Sequence, residues 1–246
     1  MASDIIAVLH LEKQSLGKVI VVKELNKCDS SFITSCVLGH CIKNRNAVIL
    51  VSTHNSMSHY QNVGIKMNYN LQKHVESGLV TFYDLGKDCV YNLLKNENKS
   101  VQQLIFNLNK KVSIIREKYD KVDIIWDGVT HLFDLEFNLK SVNEICNEFV
   151  KLARKYSSFI LFHCNVASDD DLTCVMSNLM SHKAHILLEV ESLSSGWSAD
   201  VTGHLTIKNI GQKFDIEHMY IMDYKPSHYL FKLFDRGVRL FAPGTV

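Results

Sequence analysis

Val122-Asp123-Ile124-Ile125-Trp126-Asp127 is the stretch on which the fold class turns. It has strand length, is mostly β-branched or aromatic, and runs into an acid followed by Gly128. A run that is apolar on both pleat faces must be covered on both sides, which is the situation of a central strand in a parallel sheet. The same grammar recurs at Lys18-Val19-Ile20-Val21-Val22, Ala47-Val48-Ile49-Leu50-Val51-Ser52, Leu79-Val80-Thr81-Phe82-Tyr83-Asp84 and Phe159-Ile160-Leu161-Phe162-His163.

Between these runs the period becomes helical. Phe32, Ile33, Cys36, Val37 and Cys41 make a stripe over 32–43, with Ser30 and Ser31 placed to cap it. Helices are also predicted over 57–66, 101–118, 141–156 and 170–181, and the polar segment 92–100 reads as a surface loop. From Ile186 onward the pattern changes. Segments 186–190, 204–208, 218–222 and 229–234 read as strands on short connections, a meander with no room for crossover helices. The expectation is one domain over 1–246, α/β and RecA-like. Its central, mainly parallel sheet is flanked by helices and extended by C-terminal antiparallel strands.

In nucleotide-binding sheets of this kind, a strand ending like Asp127 supplies the magnesium-side acid. A phosphate cradle of the form G-x-x-x-x-G-K-[ST] precedes it, its glycines letting backbone N–H groups close on the phosphates. Here the first strand leads into Glu24-Leu25-Asn26-Lys27-Cys28-Asp29-Ser30-Ser31, with no glycine. Gly17-Lys18 precedes that strand, and Gly86-Lys87 is followed by Asp88, with Thr81 where the leading glycine belongs. Both pairs read as turn residues. Asp127 therefore reads as an acid bonding neighbouring backbone at a strand terminus, and no nucleotide-binding or catalytic residue is assigned.

Composition narrows the classes further. The chain has 246 residues, is 46% hydrophobic and carries a net charge of +1, so one sizeable core is expected and no global pull toward nucleic acid or membrane. Seven cysteines without a C-x-x-C pair favour free thiols in a reducing compartment. Met1-Ala2-Ser3-Asp4 does not read as a signal peptide, and no apolar run approaches a membrane span. Cytoplasm and nucleus are the expected locations.

Other clusters resolve toward structural roles. Cys36, His40 and Cys41 lack the second ligand pair that a structural zinc site needs, so no metal or other cofactor is expected. His54, His59, His182 and His185 read as loop or helix-end residues. His163 and Cys164 are adjacent in a strand and point to opposite faces, which argues against a nucleophile–base pair. Asp169-Asp170-Asp171 reads as a helix cap. The basic groups Lys110, Lys111, Arg116 and Lys118, and Lys151, Arg154 and Lys155, are solvated helix faces unless they line a common groove.

Three longer stretches carry a resemblance. They are Ser56-Met57-Ser58-His59-Tyr60-Gln61-Asn62-Val63-Gly64-Ile65-Lys66, the segment 193–205 (LSSGWSADVTGHL), and the segment 229–244 (YLFKLFDRGVRLFAPG). In their joint order the chain resembles the sixth subunit of the Elongator complex, a RecA-like family without P-loop motifs. The resemblance implies a non-catalytic subunit that joins the fourth and fifth Elongator subunits in a hetero-hexameric ring. That ring binds tRNA as an assembly and supports wobble-uridine modification, whose chemistry belongs to the catalytic Elongator subcomplex. The loop after the fifth strand would face the ring interior, and the acids Asp169, Asp170 and Asp171 there would repel phosphate. No residue is assigned to RNA contact. Two other readings are an ATPase whose degenerate site, with Asp127, is completed by a neighbour, and a stand-alone protein-binding adaptor.

Overall fold

The structure is a computed structural model that describes residues 2–11, 17–25, 28–94, 101–196, 198–210, 225–242 and 244. Its strands are β1 (Val19–Glu24), β2 (Ala47–Ser52), β3 (Val80–Asp84), β4 (Val122–Asp127), β5 (Ile160–Asn165), β6 (Ile186–Ser192), β7 (Gly203–Asn209), β8 (Ser227–Phe234) and β9 (Gly237–Phe241). They form one nine-stranded sheet in the order β3-β2-β4-β5-β1-β6-β7-β8-β9. The first six strands in that order are parallel, and β6 through β9 pair antiparallel. This is the expected RecA-like α/β arrangement.

Helices α1 (Ala2–Val8), α2 (Ser31–Lys43), α3 (Met57–Lys66) and α4 (Leu71–Glu76) precede β3. After it come α5 (Leu85–Leu94), α6 (Val101–Arg116), a 3-10 helix (Val129–Leu135), α7 (Leu139–Lys155) and α8 (Leu172–Ser181). The core lies in two layers. On one face Val48, Leu50, Ile125 and Leu161 pack with Ile33, Val37 and Leu38 of α2. On the other, Ile49, Ile124, Trp126 and Phe162 pack with Leu104 and Leu108 of α6 and Ile145 and Phe149 of α7. Alternate residues of each central strand thus feed opposite layers, as the apolar runs require. The ring of Trp126 lies 4.8 Å from that of Phe149, and its Nε1–H donates to Thr53 Oγ1 at 3.0 Å. At the far edge α1 packs on β9, and the Leu240 N–H donates to Asp4 Oδ2 at 3.3 Å.

Several local expectations are corrected. Residues 92–94 close α5 instead of opening a loop. Gly86 and Lys87 lie in the first turn of α5, where the Lys87 N–H donates to Asp84 Oδ1 at 2.8 Å. Gly17, with φ +67°, is in the expected turn. Helix α8 begins at Leu172, and Asp171 alone of the three acids caps it, accepting from Thr173 and Cys174 N–H. The strand expected at 218–222 lies outside the described residues, and β9 was not foreseen. No helix among the described residues is long and apolar enough to cross a membrane.

Candidate functional site at the strand ends

In a parallel sheet all C-terminal strand ends fall on one edge, which is where open α/β sheets bind ligands. Ser52 stands opposite Asp127, and Val22 opposite His163. The pair Trp126–Phe162 places Asp127 and His163 side by side one residue further on. Glu24 is two residues beyond Val22 and so points the same way. Four parallel strands thus deliver Glu24, Ser52, Asp127 and His163 to one face of one edge.

The polar groups close on one another. His163 Nδ1 lies 2.7 Å from Asp127 Oδ1, an ion contact rather than a straight hydrogen bond. Nε2 lies 2.5 Å from Ser30 Oγ and 3.7 Å from Glu24 Oε2. Glu24 Oε2 accepts from Ser30 N–H at 2.8 Å and from Ser30 Oγ–H at 3.0 Å, while Oε1 accepts from Asn165 Nδ2 at 2.9 Å. Asp127 Oδ2 accepts from the Tyr60 hydroxyl and, at 3.0 Å, from Asn55 Nδ2. Asp127, Ser30 and Tyr60 have no exposed surface, and His163 is 1% exposed.

Burial and charge compete at each group. Burial pushes Asp127 upward, but the neighbouring His163 outweighs it, with help from His54 and Tyr60, and holds the carboxyl below its usual range. Burial also raises Glu24, and the bonds from His163 and Ser30 bring it down to about 2. For His163 burial disfavours the charge, yet Asp127 and Glu24 raise it to about 9. The buried Tyr60 hydroxyl is pushed upward and stays a donor.

Ser30, His163 and Asp127 repeat the order of a nucleophile, its base and the group that orients the base. The setting does not suit that chemistry. Ser30 is enclosed with no exposed surface for a substrate to reach, and its hydroxyl is held between Glu24 and His163. Asp127 is turned onto His163, Tyr60 and Asn55, so its partners are side chains, not the backbone neighbours expected of it. The serines do not cap α2 with their side chains either, since Ser30 makes no cap bond and its Oγ is spent on Glu24 and His163.

The geometry describes a RecA-like strand-end site filled by its own side chains. A family model described as Elongation complex protein 6 matches residues 4–227 of the chain. The chain belongs to the Elongation complex protein 6 family. It is 24% identical over 253 residues to Elongator complex protein 6 of Drosophila melanogaster, covering 100% of this chain and 98% of that one. It is 26% identical to Elongator complex protein 6 of Homo sapiens over 253 residues, 95% of this chain and 93% of the human one. The identity with the Xenopus laevis protein of the same name is 26% over 260 residues, covering 94% and 92%.

The remaining candidate residues of this Elongation complex protein 6 chain fall into place around the edge. Cys36 and Cys41 are buried thiols of α2, and no group of three or more ligating side chains among the described residues is arranged to hold a metal. The ring of His54, in the β2–α3 turn, stacks on His131 with centroids 4.3 Å apart. His59 lies in the first turn of α3, and His182 ends α8. His185 Nδ1 accepts the Val19 N–H at 2.9 Å. His163 and Cys164 diverge as expected, and burial raises the Cys164 thiol to about 12. Of the basic residues, Lys110 and Lys111 line a groove of about 600 Å³ with Lys87, Tyr83, Asp84 and Asp88. Arg116 and Lys155 both lie over the Tyr156 ring, at 4.8 and 5.2 Å from its centroid. Neither group makes an all-basic track. Sequence reading found Asp127 but missed His163, Tyr60 and Asn55 as its partners, and Glu24 and Ser30 on the far side of the His163 ring. The available signal was polar residues ending successive apolar runs.

Proposed function

We propose that the chain is a non-catalytic subunit of the Elongator accessory ring, assembled with the fourth and fifth Elongator subunits. The ring binds tRNA as an assembly and supports wobble-uridine modification, while the chemistry is performed by the catalytic Elongator subcomplex. In this reading residues 1–246 act as one RecA-like unit, in cytoplasm and nucleus. Membership of the Elongation complex protein 6 family over residues 4–227 is the observation that carries the proposal. The self-filled strand edge supports it, because Asp127 is committed to His163 rather than presented to a phosphate-bound ion. So does the surface. Val90, Tyr91 and Leu94 of α5 and Phe106 and Ile114 of α6 are large apolar residues left exposed, surface of the kind that a partner would cover.

Affinity purification from native extract, read by mass spectrometry, tests this. Recovery of the fourth and fifth subunits is the expected result, and their absence overturns the reading. Deletion of the chain should abolish carboxymethyl-type wobble-uridine modification in tRNA; unchanged modification would leave the adaptor reading in its place.

A further inference from the structure

The strand-end cluster holds more protons than a neutral reading allows. The titratable groups packed about His163 are Glu24 from β1 and Asp127 from β4. Tyr60 of α3 lies behind Asp127, and His54 of the β2–α3 turn rests on His131 of the 3-10 helix. Ser30, at the end of the connection after β1, stands between the ring and Glu24.

The protons can be placed one by one. His163 Nδ1 is 2.7 Å from Asp127 Oδ1. A bare lone pair there would confront a carboxylate, so Nδ1 carries a proton. The Ser30 hydroxyl has one proton and two claimants, Glu24 Oε2 at 3.0 Å and Nε2 at 2.5 Å. Were it given to Nε2, the serine lone pairs would face the ionised Glu24. Given to Glu24, the serine offers its lone pair to Nε2, which must then bring a proton of its own. With both carboxylates ionised, only the doubly protonated ring turns a proton, not a lone pair, toward Asp127 on one side and toward the Ser30 oxygen on the other. Among the described residues that ring is the cation lying within 4 Å of both carboxylates, and a buried acid without a partner is strongly unfavourable.

We propose that His163 is held as an imidazolium, the resident cation of the strand-end site. It pins Ser30, just before α2, to β4 and β5 in the place where a RecA-like protein holds a ligand. The charge is set by the neighbouring acids, which raise the ring to about 9 against the effect of burial. Loss of the proton has a defined structural consequence: the Ser30 hydroxyl turns from Glu24 to Nε2, and the bond joining β1 to its own loop loses a member. The assignment holds whatever partners the chain has.

Nitrogen-15 NMR of the full chain, labelled at histidine and titrated from about pH 5 to about pH 10, tests it. One histidine, identified by its disappearance in His163→Gln, should keep both ring nitrogens protonated at neutral pH and titrate near 9. Should the glutamine variant fail to fold, Ser30→Ala leaves the ring in place and identifies it by a shift of the same resonance. Glu24→Gln should lower the midpoint by about one unit, a tenfold loss of proton affinity. An unprotonated ring nitrogen on His163 at neutral pH, or a midpoint indifferent to Glu24→Gln, would overturn the proposal.

Discussion

Gly86, in the first turn of α5, lies directly against the backbone carbonyl of Thr53 at the end of β2, so close that a Cβ on residue 86 would overlap that oxygen. The contact fixes how α5 leaves the strand edge, beside the turn whose Ser52 hydroxyl donates to the Asn55 carbonyl at 2.7 Å. Backbone on both sides leaves no side chain to yield. Gly86→Ala should therefore destabilise the fold by about 1–3 kcal/mol, as overpacking does. Denaturant melts of the two proteins measure it, and equal midpoints would show that the helix can shift away.

The charged cluster sets the pH range of stability. Glu24 is depressed to about 2, so its contribution is complete above its ordinary 4.5 and is lost as pH falls through that interval. Asp127, also depressed, adds to the same acid limb. His163 is raised to about 9, so its contribution is complete below 6.5 and is lost as pH rises from there toward 9. Stability from this site should be greatest between about pH 4.5 and about pH 6.5. It should fall on the alkaline side by at most about 1.4 kcal/mol per pH unit for the single proton involved. Urea midpoints across pH give the profile, and His163→Gln should flatten its alkaline limb.

Removing the ring altogether is a different perturbation. His163→Ala leaves Asp127 buried without its cation and should lower stability by about 3–5 kcal/mol. Asp127→Asn keeps the shape and should be milder. If the two act through one contact, the double variant will be less damaging than the sum, with a coupling of about 1–3 kcal/mol. Strict additivity in a double-mutant cycle would deny the pairing.

Thiol chemistry should be selective. Of the seven free cysteines only Cys174 is not buried. Burial raises Cys36 and Cys164 to about 12, and Cys28 to about 11. A thiolate-directed reagent at neutral pH should label Cys174 first and the others only as fast as the chain opens. Peptide mapping after brief labelling would read this directly.

The exposed apolar residues of α5 and α6 should make the isolated chain prone to association. Replacing Leu94, Phe106 and Ile114 with polar residues should raise its solubility alone. If that surface is where ring partners bind, the same changes should weaken recovery of the fourth and fifth subunits. Light scattering and pull-down, on one set of variants, separate the two effects.

The sequence made the sheet legible because its central strands are apolar on both faces, a pattern that little else produces. It hid the short elements. Helix α5 begins Leu85-Gly86-Lys87-Asp88, residues that read as a turn until the close approach to Thr53 explains the glycine. In the site, Asp127 was visible because it ends a strand, and its partner was not. His163 lies 36 residues away, and local periodicity carries no record of which strand ends become neighbours. That information resides in the strand order, with β4 beside β5 and β5 beside β1. Ser30 was misleading for a related reason: its place before α2 suits a cap, and a stronger claim on its hydroxyl comes from a residue 133 positions later.

The bond between Leu240 and Asp4 spans 236 residues. At ribosomal rates of about 5–20 residues per second, the first helix waits roughly 10 to 50 s before the strand it packs against has been made. Through that interval Ile5, Ile6 and Leu9, all buried in the finished molecule, have no β9 to rest on. The edge formed by β2 and β3 has both its strands early, whereas the opposite edge closes only after β9 has been made.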